Sequence, residues 1–184
     1  MEVGKSCHTQ LVLVSGPSRG GKSRWAEHLL ADSTDVTYVA TSARRPDDAS
    51  WQERLKRHRE RRPDHWTLVE CGGELSESLE KIPRHTDVLI DALGGFVAWH
   101  LELSDEHWLR HCDGLCHRLA SMSQTCVVVI EETGWGVVPP TSLGCLFRDR
   151  LGALAQQLER QASRSWLVVQ GRAIDLHAVS HSVP

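Results

Sequence analysis

At 184 residues, about 40% hydrophobic and about a quarter charged, the chain has the size and make-up of one globular domain with a single core. A formal charge of −3 argues against any global pull toward nucleic acid or a membrane surface. The opening MEVGKSCHTQ lacks the apolar centre of a signal peptide, and no apolar run approaches ~18 residues, so the expectation is a soluble, cytoplasmic protein without membrane insertion.

Short apolar runs alternate with longer amphipathic ones along the chain. The first strand is predicted at residues 10–15 (QLVLVS), followed by a helix over 23–30 with Trp25, Ala26, Leu29 and Leu30 apolar, and a strand at 36–40 (VTYVA). The basic stretch 53–63 reads as helical. A weaker strand candidate is 66–70 (WTLVE), and a firmer one is 88–91 (VLID). A helix over 105–122 carries Trp108, Leu115 and Leu119 inward. After it come a strand at 127–131 (VVVIE), a helix over 143–160 with leucines at spacings of three, four and seven, and a last strand at 166–169 (WLVV). Runs of about four to six residues, rich in β-branched side chains and nearly all apolar, are how strands buried on both faces of a parallel sheet look. The predicted fold is therefore α/β: one domain over 1–184, its core at about 9–171, with a largely parallel sheet flanked by helices.

The six cysteines, Cys7, Cys71, Cys112, Cys116, Cys126 and Cys145, form no C-x-x-C pair. In a reducing compartment they read as free thiols, several of them packed as small apolar residues, with Cys126 the best example. His107, His111, Cys112, Cys116 and His117 invite a zinc reading. On a helix turning roughly 100° per residue, however, the two histidines share one face while the thiols point well over 90° away. Four such groups cannot close a tetrahedron from one helix, so no structural metal is expected.

Three features carry chemistry. Gly16, Pro17, Ser18, Arg19, Gly20, Gly21, Lys22 and Ser23 follow an apolar strand and open a helix, which is the context that makes this pattern a phosphate-binding P-loop. Its backbone N–H groups and the helix N-terminus point at phosphate oxygens. Lys22, just inside the helix, is expected to hold its ammonium exposed to phosphate, and the Ser23 hydroxyl can ligate Mg²⁺. Asp91 ends the strand VLID, where an acid can hold Mg²⁺ directly or through water; a helix N-cap is the plainer role for it. Glu131 and Glu132 are rival acids at the same rim of the sheet. Asp91 is preferred because its strand is expected to lie nearest the P-loop strand.

The third feature is the run from Glu53 to Pro63. Trp51, Leu55 and His58 fall at i, i+4 and i+7, which puts His58 on an inward apolar stripe. Arg54, Arg57, Arg59, Arg61 and Arg62 crowd around it. A packed structural histidine and a catalytic one both fit this spacing. Nearby positive charge would keep the imidazole neutral, with the lone pair a nucleophile needs, and the same arginines could clamp phosphates bidentately.

These residues, taken together, resemble the bifunctional adenosylcobinamide kinase / adenosylcobinamide-phosphate guanylyltransferase family of cobalamin synthesis. The likeness spans residues 11 to about 171. It includes SGPSRGGKSRWAE and Tyr38-Val39-Ala40-Thr41-Ser42, then Arg54-Leu55-x-x-His58-Arg59-x-x-Arg62-Pro63-x-x-Trp66. Asp91 follows, with the run Glu132-Thr133-Gly134-Trp135-Gly136-Val137-Val138-Pro139 and Phe147-Arg148-Asp149. The resemblance implies a P-loop NTPase (RecA-like) domain that phosphorylates adenosylcobinamide. It then transfers GMP from GTP through a histidine–GMP intermediate on His58, giving adenosylcobinamide-GDP. It further implies that the P-loop, Ala40, Thr41, Ser42, Arg59, Glu60, Arg61, Arg62, Glu70 and Asp91 contact nucleotide (GTP or ATP, with Mg²⁺), and that the subunits form a homotrimer. A guanylyltransferase alone, or another P-loop small-molecule kinase, is the alternative. The chain departs from the family where Thr and Asn are usual and Gly94 and Trp99 stand instead. It departs again at Glu131, usually Asn, and at Gly152-Ala153-Leu154-Ala155-Gln156.

Overall fold

The computed structural model describes residues 10–43 and 46–183; within α2 the side chains of Trp51, Arg54 and Arg57 lie outside the described residues. In chain order the elements are β1 (Leu11–Gly16), α1 (Lys22–Leu29), β2 (Val36–Ala40), α2 (Ala49–Arg61), β3 (Thr67–Glu70), α3 (Leu75–Glu80) and β4 (Asp87–Asp91). They continue with α4 (Leu93–Trp99), α5 (Asp105–Ser121), β5 (Cys126–Glu131), α6 (Ser142–Glu159), β6 (Arg164–Val169), β7 (Arg172–Asp175) and α7 (Leu176–Val179).

The seven strands form one sheet in the order β3-β2-β4-β5-β1-β6-β7. Every pairing is parallel except the last, where β7 turns back antiparallel on β6. All six strands expected from the sequence are present, the weak candidate at 66–70 included as β3. The residue patterns predict neither β7, α3 nor α7, and α4 is implied only by the resemblance, as the helix after the Asp91 strand.

Period-two alternation divides the core between the two faces of the sheet. In β5, Val128 and Ile130 face a layer built by α3, α4, α5 and α6, where Leu79, Phe96, Leu115, Leu119, Leu154 and Leu158 are buried. Val127 and Val129 face the other way, with Val14, Leu89, Ala26 of α1 and Leu30 just beyond it. Burying each such side chain stabilises the fold by about 1.5–3 kcal/mol, which is why β4 and β5 are apolar between their first residues and the acids at the rim.

One buried charge ties the helical layer together. The Arg150 side chain of α6 is only 6% exposed, and its Nη2 lies 3.0 Å from the Asp105 carboxylate. Nη1 donates to the carbonyls of His100 (2.9 Å) and Leu101 (3.3 Å), and Nη2 also donates to that of Leu103 (2.8 Å). The turn that follows α4 points these carbonyls inward, and the guanidinium supplies them with donors. Arg150→Met is therefore expected to cost about 3 kcal/mol of stability, since it leaves buried acceptors without donors. Urea unfolding measures the loss, with nucleotide affinity of the folded variant unchanged.

On α5 the expected divergence of ligand types is plain. Cys112 and Cys116 are buried and His107, His111 and His117 are exposed, with His107 Nδ1 2.8 Å from Ser104 Oγ and His117 Nδ1 2.7 Å from the Asp113 carbonyl. Among the described residues no group of three or more His, Cys, Asp or Glu side chains is placed to hold a metal ion. The described cysteines carry no disulfide. Burial pushes the thiols of Cys112 and Cys126 up to about 12, so they pack as neutral apolar groups rather than reactive thiolates. Cys7 lies outside the described residues. No described helix is long and apolar enough to cross a membrane.

Candidate functional site

The carboxyl ends of the parallel strands line up as a row. Register places Glu70 of β3 beside Ala40 of β2, Ala40 beside Asp91 of β4, and Glu131 of β5 beside Gly16 of β1. In open α/β sheets this rim is where ligands bind.

At the β1 end the chain turns from strand to helix through the P-loop. Gly16 adopts φ 146°, and a Cβ there would stand 2.2 Å from the Val168 carbonyl oxygen, so only glycine allows β6 this close. The loop is braced from the same side: the Gly171 N–H donates to the Gly20 carbonyl at 2.9 Å. Gly21 in a left-handed conformation caps α1 without a side chain, so the first N–H groups of the helix face the loop. Lys22 differs from expectation. Its side chain is drawn in rather than exposed: the residue is 8% exposed and Nζ donates to the Pro17 carbonyl at 2.8 Å. The loop curls over its own lysine and offers it a carbonyl acceptor.

The acids are also arranged differently from the sequence reading. The strand beside β1 is β5, not β4, so the strand that ends in Asp91 is one place further from the P-loop than expected. Glu131 is the acid next to Gly16. Its Oε2 accepts the Gly94 N–H at 2.9 Å, and burial pushes its carboxyl above the usual carboxylate range, with Asp91 adding to the push. A Cβ on residue 94 would lie 2.6 Å from that oxygen, so two of the departures from the family pattern touch each other. Glu132 points elsewhere, accepting the Gly134 N–H at 2.6 Å.

Asp91 belongs instead to a cluster around His58. Its side chain is 8% exposed and Oδ2 accepts the Tyr38 hydroxyl proton at 2.7 Å. The His58 side chain, 16% exposed, brings Nδ1 to 3.5 Å from the Tyr38 oxygen and 3.7 Å from Asp91 Oδ2. Burial, followed by the neighbouring Asp91 charge, holds the Tyr38 phenol well above its ordinary pKa, so it stays a proton donor. Tyr38 sits in β2, facing the α1 side of the sheet. Its place in this cluster was not read from the sequence, although it stands in the Tyr38-Val39-Ala40 motif.

The arginines do not all ring the imidazole as expected. Arg61 forms a two-pronged pair with Glu27 of α1, at 3.2 and 3.1 Å, and Arg62 lies over the Tyr38 ring, its guanidinium carbon 4.2 Å from the centroid. Arg59 is exposed, and Glu60 is exposed and paired with Lys56 at 3.9 Å. Arg54 and Arg57 fall outside the described side chains. A carboxylate faces His58 where a wholly cationic shell was expected. The apolar stripe is also shallower than drawn: Leu55 is 38% exposed, and Trp51 lies outside the described side chains. Among the described side chains, Tyr38 and Asp91 are the neighbours His58 turns toward.

The remaining residues sit on the same rim. The buried Thr41 hydroxyl bonds to the carbonyl of Ala92, accepts the Ala92 N–H at 3.2 Å, and so ties the end of β2 to α4. The Trp99 indole N–H donates to the Thr41 carbonyl at 2.9 Å, leaving the ring half-exposed. Ser42 and Glu70 are exposed, and Ala40 is half-buried. Ser23, Asp91 and Glu131 offer hard oxygen donors of the kind Mg²⁺ takes alongside phosphates and water.

Comparison with known proteins identifies the family. Residues 12–176 match the family model "Cobinamide kinase / cobinamide phosphate guanyltransferase". The chain is similar to the bifunctional adenosylcobalamin biosynthesis protein CobU of Escherichia coli K12, at 32% identity over 90% of this chain and 99% of that protein. It is 34% identical to CobU of Salmonella typhimurium LT2, over 90% of this chain and 99% of the relative. Among solved structures, the PH0250 protein of Pyrococcus horikoshii OT3 superposes with a TM-score of 0.54 at 7% identity, covering 96% of this chain and 92% of that one, a likeness of fold alone. The P-loop, the helix-flanked parallel sheet and the extent of the family match lead to one conclusion: this chain belongs to the cobinamide kinase / cobinamide phosphate guanyltransferase family.

Proposed function

We propose that this chain phosphorylates adenosylcobinamide and then transfers GMP from GTP to the phosphorylated corrinoid, yielding adenosylcobinamide-GDP. The observation that carries the reading is His58, held inward against Tyr38 and Asp91 on the rim that also bears the P-loop.

In the first step the P-loop N–H groups and Lys22 hold the nucleotide phosphates and stabilise the charge that develops as the terminal phosphoryl moves to the aminopropanol hydroxyl. Lys22 releases the Pro17 carbonyl to do so. Mg²⁺ brought in with the nucleotide, held by Ser23 and by Asp91 directly or through water, would neutralise phosphate charge. In the second step an imidazole nitrogen of His58 attacks the α-phosphorus of GTP, and the bond to the bridging oxygen breaks to release pyrophosphate. A phosphate oxygen of the corrinoid then attacks the same phosphorus, and the P–N bond breaks, returning its electron pair to the ring. The backbone of Ala40, Thr41 and Ser42, with Arg59, Glu60, Arg61, Arg62 and Glu70, is read as contacting the nucleotide. For Arg61 that requires exchanging its pairing with Glu27. The working state is a cytoplasmic homotrimer, as the family resemblance implies.

Incubation with α-labelled GTP and magnesium tests the reading. The protein should acquire label that survives alkali and is lost in acid, and should pass it to phosphorylated corrinoid. No covalent label at any GTP concentration would sink it.

A further inference from the structure

The contacts around His58 fix more than its position. Tyr38 has one hydroxyl proton, and that proton is committed to Asp91 Oδ2 at 2.7 Å. What Tyr38 and Asp91 turn toward His58 Nδ1, at 3.5 and 3.7 Å, is therefore a phenolic lone pair and a carboxylate oxygen, two acceptors. A ring nitrogen facing two acceptors is satisfied only if it carries the hydrogen, and in a neutral imidazole the lone pair then resides on the other nitrogen.

We infer that Tyr38 and Asp91 act as positioning residues that lock His58 in the Nδ1–H tautomer and so direct guanylyl transfer to Nε2. The inference rests on the reading of His58 as the nucleophile and adds which atom reacts and what selects it. The Nε2 lone pair forms the bond to the α-phosphorus as the bond to pyrophosphate breaks. The Nδ1–H keeps its proton through that step and directs it at the Tyr38 oxygen and Asp91 Oδ2, which stabilise the positive charge gained by the ring. When the corrinoid phosphate displaces the imidazole, the Nε2 lone pair is restored with the same nitrogen still protonated. The two contacts are longer than a formed hydrogen bond. Such contacts commonly tighten only in the substrate complex. Arg62, stacked on the Tyr38 ring at 4.2 Å, holds the phenol in its plane.

Two measurements test this. In full-length wild-type protein guanylylated with GTP and magnesium, the phosphoramidate isomer is identified by proton–phosphorus correlation NMR on an alkaline digest. Phosphorus on Nε2 is expected; phosphorus on Nδ1 overturns the inference while leaving His58 as nucleophile. An adduct on another residue, or none, overturns both. The second measurement uses Tyr38→Phe, which keeps the ring beneath Arg62 and removes only the hydroxyl. The rate of self-guanylylation at saturating GTP should fall about tenfold to a hundredfold, as loss of a group orienting a reactive imidazole does. Its corrinoid phosphorylation, which loses only the hydrogen bond that Tyr38 gives Asp91, should fall far less than its labelling rate. An unaltered labelling rate, or a loss confined to GTP affinity, overturns the positioning role.

Discussion

His58→Ala is expected to abolish covalent labelling by GTP and GMP transfer, while corrinoid phosphorylation continues at close to the wild-type rate. The split follows from the geometry: the first step uses the P-loop on β1 and α1, whereas the imidazole stands across the rim against β2 and β4. The described contacts that the change removes are to the Tyr38 phenol and the Asp91 carboxylate, and His58 is not among the buried core residues. His65 lies beyond the end of α2 and is exposed, so His65→Ala should transfer GMP normally. The check is mass spectrometry of GTP-treated protein alongside separate assays of the two products. Full transfer by His58→Ala, or GMP found on His65, would remove His58 from the mechanism.

Asp91→Asn should cut both steps by several orders of magnitude while nucleotide binding weakens only modestly. The change removes a charge that counts most in the transition state, where phosphate charge is redistributed and the imidazole becomes positive. Asparagine keeps an oxygen for the Tyr38 hydroxyl, so the fold should not suffer. The sequence offered Glu131 as the rival, and the strand order strengthens that rival by placing it beside Gly16. Glu131→Gln nonetheless retains an acceptor for the Gly94 N–H and substitutes a side chain whose carboxyl burial already disfavours ionisation. It should therefore be mild. Steady-state kinetics of the two variants side by side decide the matter, and a crippled Glu131→Gln with a mild Asp91→Asn would reverse the assignment.

What was legible in the sequence was whatever local chemistry specifies. Val127, Val128, Val129 and Ile130 read as a strand buried on both faces, and the glycines ahead of Lys22 read as a tight phosphate loop once a strand precedes them. Helix α4 came only with the resemblance and not from the residue pattern, because Gly94 and Gly95 look like breakers; its helix is held by burial of Leu93, Phe96 and Val97, not by propensity. Strand β7 escaped because its four residues, half of them charged, gain their conformation from pairing with β6. Strand order is set by crossovers that leave no local trace, and so Asp91 was placed too near the P-loop. The arginine cluster misled for a related reason. Arg61 is satisfied by Glu27, far away in sequence, and nothing within the run from Glu53 to Pro63 announces that partner.

The contact between Gly94 and Glu131 also constrains how this chain can change. The resemblance associates Thr with the first position and Asn with the second. Adding a side chain at 94 drives it into a buried carboxylate, whereas shortening residue 131 first opens the space that the new side chain needs. The two positions form an epistatic pair with a preferred order. A lineage passing from this version to the other can trade Glu131 for Asn while Gly94 still stands, but meets a barrier in the opposite sequence. Gly94 and Glu131 are therefore expected to be inherited together, as one joint character of a branch of the family rather than two independent substitutions.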